Sequence, residues 1–205
     1  MTREPAKTPN FRLVCPECGA PLTFEVPSCA RGHVFAAIDG VLSLLSNEER
    51  AFFDARDVAL TTFREDAGLR RKTYDFDGLP FSQRKDPQWR ARCADVKLVR
   101  AQLRSNGERA QRILDFGSSN GWLSNVLQRD GCDVTAVDLF RDDVDGLGAM
   151  RRYPRAWRSI CMDVEKPERI GETFDLLVIN HGIHFLRDPV GLIAALQRLV
   201  APGGE

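Results

Sequence analysis

The chain has no apolar run near the ~18 residues that a membrane-spanning helix requires, which excludes a helical span. It has no excess of charge of either sign: 29 Lys and Arg face 29 Asp and Glu, so net charge is no argument for an anionic partner. The opening residues MTREPAKTPN lack the apolar stretch of a signal peptide and read as a flexible tail over residues 1–10. There is no internal repeat and no low-complexity tract. These absences give a cytoplasmic protein as the expectation. What is present, 43 % hydrophobic and 28 % charged residues, is ordinary for a globular protein of 205 residues and allows one domain preceded by a short module.

Three regions differ in texture. Residues 11–45 are short extended runs broken by Pro and Gly, and residues 46–108 are charged and mostly helical, with a loop at YDFDGLPF. Residues 109–205 follow a strand, Gly-rich turn, helix, strand order, the pattern of a parallel α/β sheet. In the middle region Asp86-Pro87 is a good helix start. Trp89, Cys93, Val96, Val99 and Leu103 then share one face, Arg90, Lys97 and Arg104 form a basic stripe beside it, and Gly107 suits the helix end.

Six cysteines would permit disulfides in a secreted chain, but three of them lie near the start with a histidine. Cys15-Pro-Glu-Cys18-Gly19 is a tight turn with two thiols, and Cys29-x3-His33 follows. Two ligand pairs on two short turns match a tetrahedral Zn²⁺ site of the Cys3His type. So small a module has little core of its own, and metal binding would supply much of its folding free energy. Cys93, Cys132 and Cys161 are isolated in helix or strand patterns and are expected to be buried small hydrophobes.

The run RILDFGSSNGWL, residues 112–123, reads as a buried strand, a Gly-bearing turn and a helix start, where a ligand can approach the backbone closely. A second strand, Cys132 to Val137, ends in Asp138, about 20 residues past the glycines, where an acid can bind the hydroxyls of a ribose. A third, near Trp157 to Cys161, precedes Asp163. A fourth, Phe174 to Ile179, ends in Asn180-His181. The four tips should share one edge of the sheet.

ILDFGSSNGWLS, VTAVDL, CMDV, FDLLVINHGIHFLRDP and LQRLVAPGG, in that order, resemble the motifs of class I S-adenosylmethionine-dependent methyltransferases, nearest in flavour to the ubiquinone and menaquinone biosynthesis group. Bacterial 23S rRNA guanine-N1 methyltransferases share that pattern and carry an N-terminal Cys3His zinc site. Their run after the site is similar to GVLSLL at 40–45. The resemblance implies a Rossmann-like parallel sheet of order 3-2-1-4 with a small N-terminal zinc-binding β module. It further implies S-adenosylmethionine as methyl donor. Gly117, Ser119 and Gly121 would form the loop under its methionine part, and Asp115 would orient the ammonium group. Asp138, with Leu139 beside it, would hold the ribose, Asp163 the adenine amino group with Val164 against the ring, and Asn180 would lie near the transferred methyl. One departure is Ser119, where the family has a glycine. A nicotinamide-binding domain would share Asp138, but NHGIHF and LVAPGG fit methyltransferases better.

Methyl transfer needs a base only if the acceptor loses a proton, and His181 and His184 are the candidates, with His181 the better placed to face the pocket. The acceptor is expected to be an rRNA base or a small metabolite. Nine Lys or Arg against three acids in residues 84–112 suit RNA, although a solvated helix face explains them equally well. The alternative is a non-catalytic methyltransferase-like chain that binds cofactor or a partner. Four strands are legible and the family's strands five to seven are not, so the edge of strand four is expected to be uncovered and prone to self-association.

Overall fold

The computed structural model describes residues 10–68, 73–105, 111–154, 157–183 and 186–205. Gly107 and His184 lie outside the described residues. The N-terminal segment forms a ribbon of β1 (Arg12–Val14) against β2 (Pro21–Thr23), then a hairpin of β3 (Ala37–Ile38) and β4 (Val41–Ser43). Helices α1 (Asn47–Asp66) and α2 (Pro87–Ser105) follow. The remainder alternates: β5 (Arg112–Phe116), α3 (Trp122–Arg129), β6 (Asp133–Asp138), β7 (Arg158–Cys161), β8 (Leu176–Ile179) and α4 (Pro189–Leu196).

The four expected strands form and lie in the order β7-β6-β5-β8, all parallel, which is 3-2-1-4. The sheet is wider than the sequence suggests. β4 pairs parallel with β7 through Val41–Ser159, Leu42–Ile160 and Ser43–Cys161, and β3 closes that edge antiparallel. The apolar GVLSLL run is thus the fifth strand of the sheet rather than a strand of the β1–β2 ribbon. At the opposite edge, residues 199–205 run beside the start of β8. Phe174 N donates to Leu199 O (2.7 Å), Leu177 N to Glu205 O (2.8 Å) and Glu205 N to Asp175 O (3.1 Å). The expected bare edge is therefore partly paired.

Side chains alternate across the sheet, as the two-residue period of a strand demands. Ile113, Val134, Ala136 and Leu176 pack on one face with Trp89 and Val96 of α2 and Trp122, Leu123, Val126 and Leu127 of α3. Leu114, Phe116, Val137 and Ile160 pack on the other, where the covering layer is the N-terminal ribbon and α4: Phe11, Leu13, Leu22, Phe35, Leu192 and Leu196. The ribbon is locked down by Glu172, which accepts Arg12 N (3.0 Å), Arg12 Nε (2.9 Å) and an Arg112 guanidinium nitrogen (2.8 Å).

Local signals explain both long helices. Ser46 Oγ accepts from Glu49 N (3.2 Å) and Ser46 N donates to Glu49 Oε2 (2.9 Å), a reciprocal cap on α1. Asp86 Oδ1 accepts Gln88 N (2.9 Å) and Pro87 opens α2, as its sequence suggests. Of the expected apolar face, Trp89 and Val96 are buried, while Cys93, expected to be buried, is only half-buried, as are Val99 and Leu103. Cys132 and Cys161 are buried. Among the described residues no helix is long and apolar enough to cross a membrane.

Candidate active site and metal-ligand cluster

Four parallel strands bring their C-terminal ends to one edge, and each delivers residues to it. After β5 the chain turns through Gly117 (φ 75°), Ser119 (φ 52°) and Gly121 (φ 75°) before α3. A Cβ on Gly121 would meet Trp157 Cζ2 at 2.6 Å, so this glycine is required by both conformation and space. Ser119 holds the left-handed conformation despite its Cβ, at a cost of roughly 1–2 kcal/mol. Its side chain offsets part of that cost, since Ser119 Oγ donates to Asp145 O (2.9 Å). Asn120 Nδ2 donates to Val144 O (3.2 Å), so the stretch after β6 is laced to the glycine turn.

Asp138 ends β6 and faces that turn. Its Oδ2 accepts Ser119 N (2.7 Å), and its Oδ1 accepts Leu139 N (2.7 Å) and Phe140 N (2.9 Å). Desolvation pushes the carboxyl above its ordinary range, against those three amides. A carboxylate has about four acceptor sites, so the backbone leaves Asp138 about one open position, on Oδ2.

Asp115, inside β5, is 1 % exposed and accepts Ser124 Oγ (2.6 Å) from α3. Desolvation, with the charge of Asp138 adding to it, lifts the carboxyl to about 6 despite that bond. A carboxyl raised by burial favours the fold while protonated. The benefit is whole below the unfolded value near 3.9 and disappears as pH rises through about 6. Asp115→Asn keeps an acceptor for Ser124 and carries no charge. It is expected to stabilise the free protein by about 2–4 kcal/mol at pH 8 and by little at pH 4, as read by urea unfolding at the two pH values. An equal gain at both would show that ionisation is not the cause.

Beyond β7, Asp163 Oδ1 accepts Glu165 N (3.0 Å), Lys166 Nζ lies 3.9 Å from Oδ2, and Val164 packs partly buried beside both cores. Beyond β8, Asn180 Nδ2 and His181 Nε2 both meet Asp95 Oδ2 of α2, at 3.1 and 2.9 Å. His181 is also left-handed (φ 56°), and Asn180 Oδ1 is buried with no protein partner. The β8 tip adjoins the glycine turn: a Cβ on Gly117 would stand 3.9 Å from Gly182 Cα. Asp95 was not foreseen from sequence, although it is the single acid in α2 among five basic residues. Tyr74, whose hydroxyl donates to Asp145 Oδ1 (3.0 Å), left no sequence signal at all.

A cleft of about 450 Å³ opens beside this edge, between α1, the β3–β4 hairpin and the segment after β6, lined by Ile38, Val58, Asp57, Arg141 and Cys161 among others. It reaches the ends of β4 and β7 but not the glycine turn.

The N-terminal ligand quartet comes together. Cys15, Cys18, Cys29 and His33 place one ligand atom each within 4.8 Å of one another. Cys18 Sγ to Cys29 Sγ is 3.7 Å, and His33 Nδ1 lies 3.4 Å from Cys29 Sγ and 3.6 Å from Cys15 Sγ. A tetrahedron with ~2.3 Å Zn–S and ~2.0 Å Zn–N bonds has edges of about 3.5–3.8 Å, so the residues fit the ion. Two short knuckles hold the thiols: Gly19 N donates to Cys15 O and Gly32 N to Cys29 O, each at 2.9 Å. Desolvation raises the Cys29 thiol, but the amides of Arg31 and His33 and the His33 ring outweigh it and bring it down to about 6. Burial pushes the Cys15 thiol up.

Residues 84–205 match a family model described as a methyltransferase domain. Malonyl-(acyl-carrier protein) O-methyltransferase of Enterobacter lignolyticus is 30 % identical over 113 residues, 55 % of this chain and 42 % of that protein. A ubiquinone biosynthesis O-methyltransferase of Psychrobacter arcticus is 24 % identical over 117 residues, 55 % of this chain and 46 % of that one. The chain thus spans a little under half the length of these relatives. Among solved structures, magnesium protoporphyrin IX methyltransferase of Synechocystis PCC 6803 aligns with a TM-score of 0.46 at 14 % identity, over 80 % of this chain and 73 % of that one. With more than half of its residues inside the family model, the chain belongs to the methyltransferase-domain family.

Proposed function

We propose that this chain is an S-adenosylmethionine-dependent methyltransferase that binds its donor across the tips of β5, β6, β7 and β8, with a structural zinc at Cys15, Cys18, Cys29 and His33. The observation that carries the reading is the closed turn Gly117–Gly121 bonded through Ser119 N to Asp138 Oδ2 (2.7 Å). That turn has no Cβ at Gly117, which allows close approach of a ligand to the backbone, and one carboxylate lone pair of Asp138 remains open.

In this reading Gly117, Ser119 and Gly121 underlie the methionine portion of the donor. Buried Asp115 supplies negative potential for its ammonium group from behind the turn. Asp138 takes a ribose hydroxyl on Oδ2, flanked by Leu139, and Asp163 and Val164 receive the adenine. Asn180, whose Oδ1 is buried and unpartnered, lies near the transferred methyl in this reading. The bound donor supplies a methyl group on a sulfonium, so the protein's task is alignment and exclusion of water. Residues 11–45 form the metal module, 46–108 the acceptor-side segment and 109–205 the donor-binding unit. The printed names of the two relatives, both O-methyltransferases, favour a small-molecule oxygen acceptor over RNA. A reducing, cytoplasmic setting suits thiolate ligands, and the edge of β8 beyond Leu177 is the surface for any self-association.

Calorimetric titration with S-adenosylhomocysteine tests this. Saturable binding is expected, Asp138→Ala should weaken it by about 1.5–3 kcal/mol, the scale for hydrogen bonds to a charged group, and NADH should not bind. A response selective for NADH would sink the reading.

A further inference from the structure

We infer that Asp95 is a positioning residue that turns His181 into the proton acceptor of the reaction, and that the methyl acceptor is therefore a protonated hydroxyl rather than a carboxylate. This rests on the methyltransferase reading above. The helix that carries Asp95 is packed on the sheet core, with Val96 1 % exposed and Trp89 4 % exposed. Its Oδ2 engages His181 Nε2 at 2.9 Å and Asn180 Nδ2 at 3.1 Å, so one oxygen gathers both polar side chains of the β8 tip. With Nε2–H committed to Asp95, the neutral imidazole carries its lone pair on Nδ1.

A left-handed turn carries His181 at this contact. His181 takes φ 56°, a conformation that costs a Cβ-bearing residue about 1–2 kcal/mol and persists where surroundings enforce it. The His181 side chain is 48 % exposed, so its second nitrogen is accessible, and the adjacent Gly182 lies against the glycine turn. Asn180 Oδ1, beside it, is buried and lacks a protein partner.

The step balances with these groups. A hydroxyl oxygen of the acceptor attacks the methyl carbon of a sulfonium donor, and the carbon–sulfur bond breaks with its electron pair going to sulfur, which leaves as a neutral thioether. The hydroxyl proton passes to His181 Nδ1, and the imidazolium formed faces the Asp95 carboxylate. A carboxylate acceptor has no proton to give and gains nothing from the pair.

Two measurements test this on the whole chain. The sequence has three histidines, so ¹⁵N-histidine spectra assigned with His181→Gln should show a His181 Nε2–H resonance protected from exchange. Asp95→Ala should abolish it and Asp95→Asn, which keeps an acceptor oxygen, should retain it. Labelled-methyl transfer to a panel of phenols should then fall about 100-fold in Asp95→Ala, the scale of general-base catalysis, and recover in part in Asp95→Asn, with S-adenosylhomocysteine binding unchanged in both. A resonance absent from the wild type, or persisting in Asp95→Ala, overturns the positioning role. Preferential methylation of matched aromatic carboxylates, or phenol methylation indifferent to Asp95, overturns the acceptor class. Failure to bind S-adenosylhomocysteine would count against the methyltransferase reading alone, and the spectra would still judge Asp95.

Discussion

Stripping the metal is expected to unfold residues 11–45 and to loosen the sheet beneath them. Structural zinc contributes on the order of 10 kcal/mol or more to small modules at neutral pH, and no hydrophobic core confined to this segment is available to replace it. The ribbon instead shares its apolar side chains with the sheet: the Phe11 ring packs tilted against that of Phe174, centroids 6.1 Å apart, and Leu13, Phe35 and Cys15 pack in one cluster with Leu114 and Phe116. Chelation should therefore do two things. Amide protection should vanish between residues 11 and 45, and residues 112–116 and 174–177 should exchange faster although they touch no ligand. Purified protein should hold about one zinc per chain, and Cys18→Ser should lower that sharply, because three ligands leave the site open. Full zinc retention in that variant refutes the ligand set. Loss of protection confined to residues 11–45 would show that the shared core contributes little.

Replacing Asp133 with alanine should cost about 3–5 kcal/mol, the scale for leaving a buried charge without its partner. Arg158 of β7 is 2 % exposed and bonds to Asp133 of β6, with its Nε also donating to Thr135 Oγ1 at 3.1 Å. The guanidinium carbon stands 4.9 Å from the Phe11 ring centroid, and one guanidinium nitrogen has no hydrogen-bond partner. Removing the carboxylate strands a cation between the sheet and the ribbon. For a domain of this size the loss is a drop of roughly 6–20 °C in melting temperature. Asp133→Leu with Arg158→Met, which removes both charges and keeps apolar volume, should recover most of it. A double variant no more stable than Asp133→Ala would mean that the pair contributes geometry which apolar packing cannot replace.

The four parallel strands were legible because each is an apolar run with local punctuation: Gly117 after β5, Asp138 at the end of β6, Asp163 after β7, Asn180 after β8. The start of α2 was legible for the same reason, through Asp86 and Pro87. The ligand quartet was legible because the two cysteine turns carry fixed spacing. Three features were not. The pairing of β4 with β7 depends on which apolar edge is free in space, and GVLSLL is as consistent with a small β module as with a sheet edge. The strip of 199–205 along β8 rests on backbone bonds, which leave no residue-type signature. Asp95 is a lone acid on a basic helix, and its meaning comes only from the β8 tip beneath it. The filling of Asp138 by three amides was equally invisible. It narrows the expectation of two ribose hydroxyls on that carboxylate to one open position.

The pairing of Val41 with Ser159 separates two hydrogen-bonded neighbours by 118 positions along the chain. At about 5–20 residues per second of synthesis, β4 waits roughly 6–24 s for its partner to emerge. During that interval the cysteine turns can already capture an ion, while the apolar faces of β1, β2 and β4 have no sheet to cover. Distant pairings of this kind slow folding because the loop must close before any contact rewards it. A nascent chain arrested before Arg158 should thus hold metal and still present Leu42, Leu44 and Leu45 to chaperones. With zinc bound as proposed, early metal capture would be followed by late docking, and the first module would be buried only after β7 has emerged.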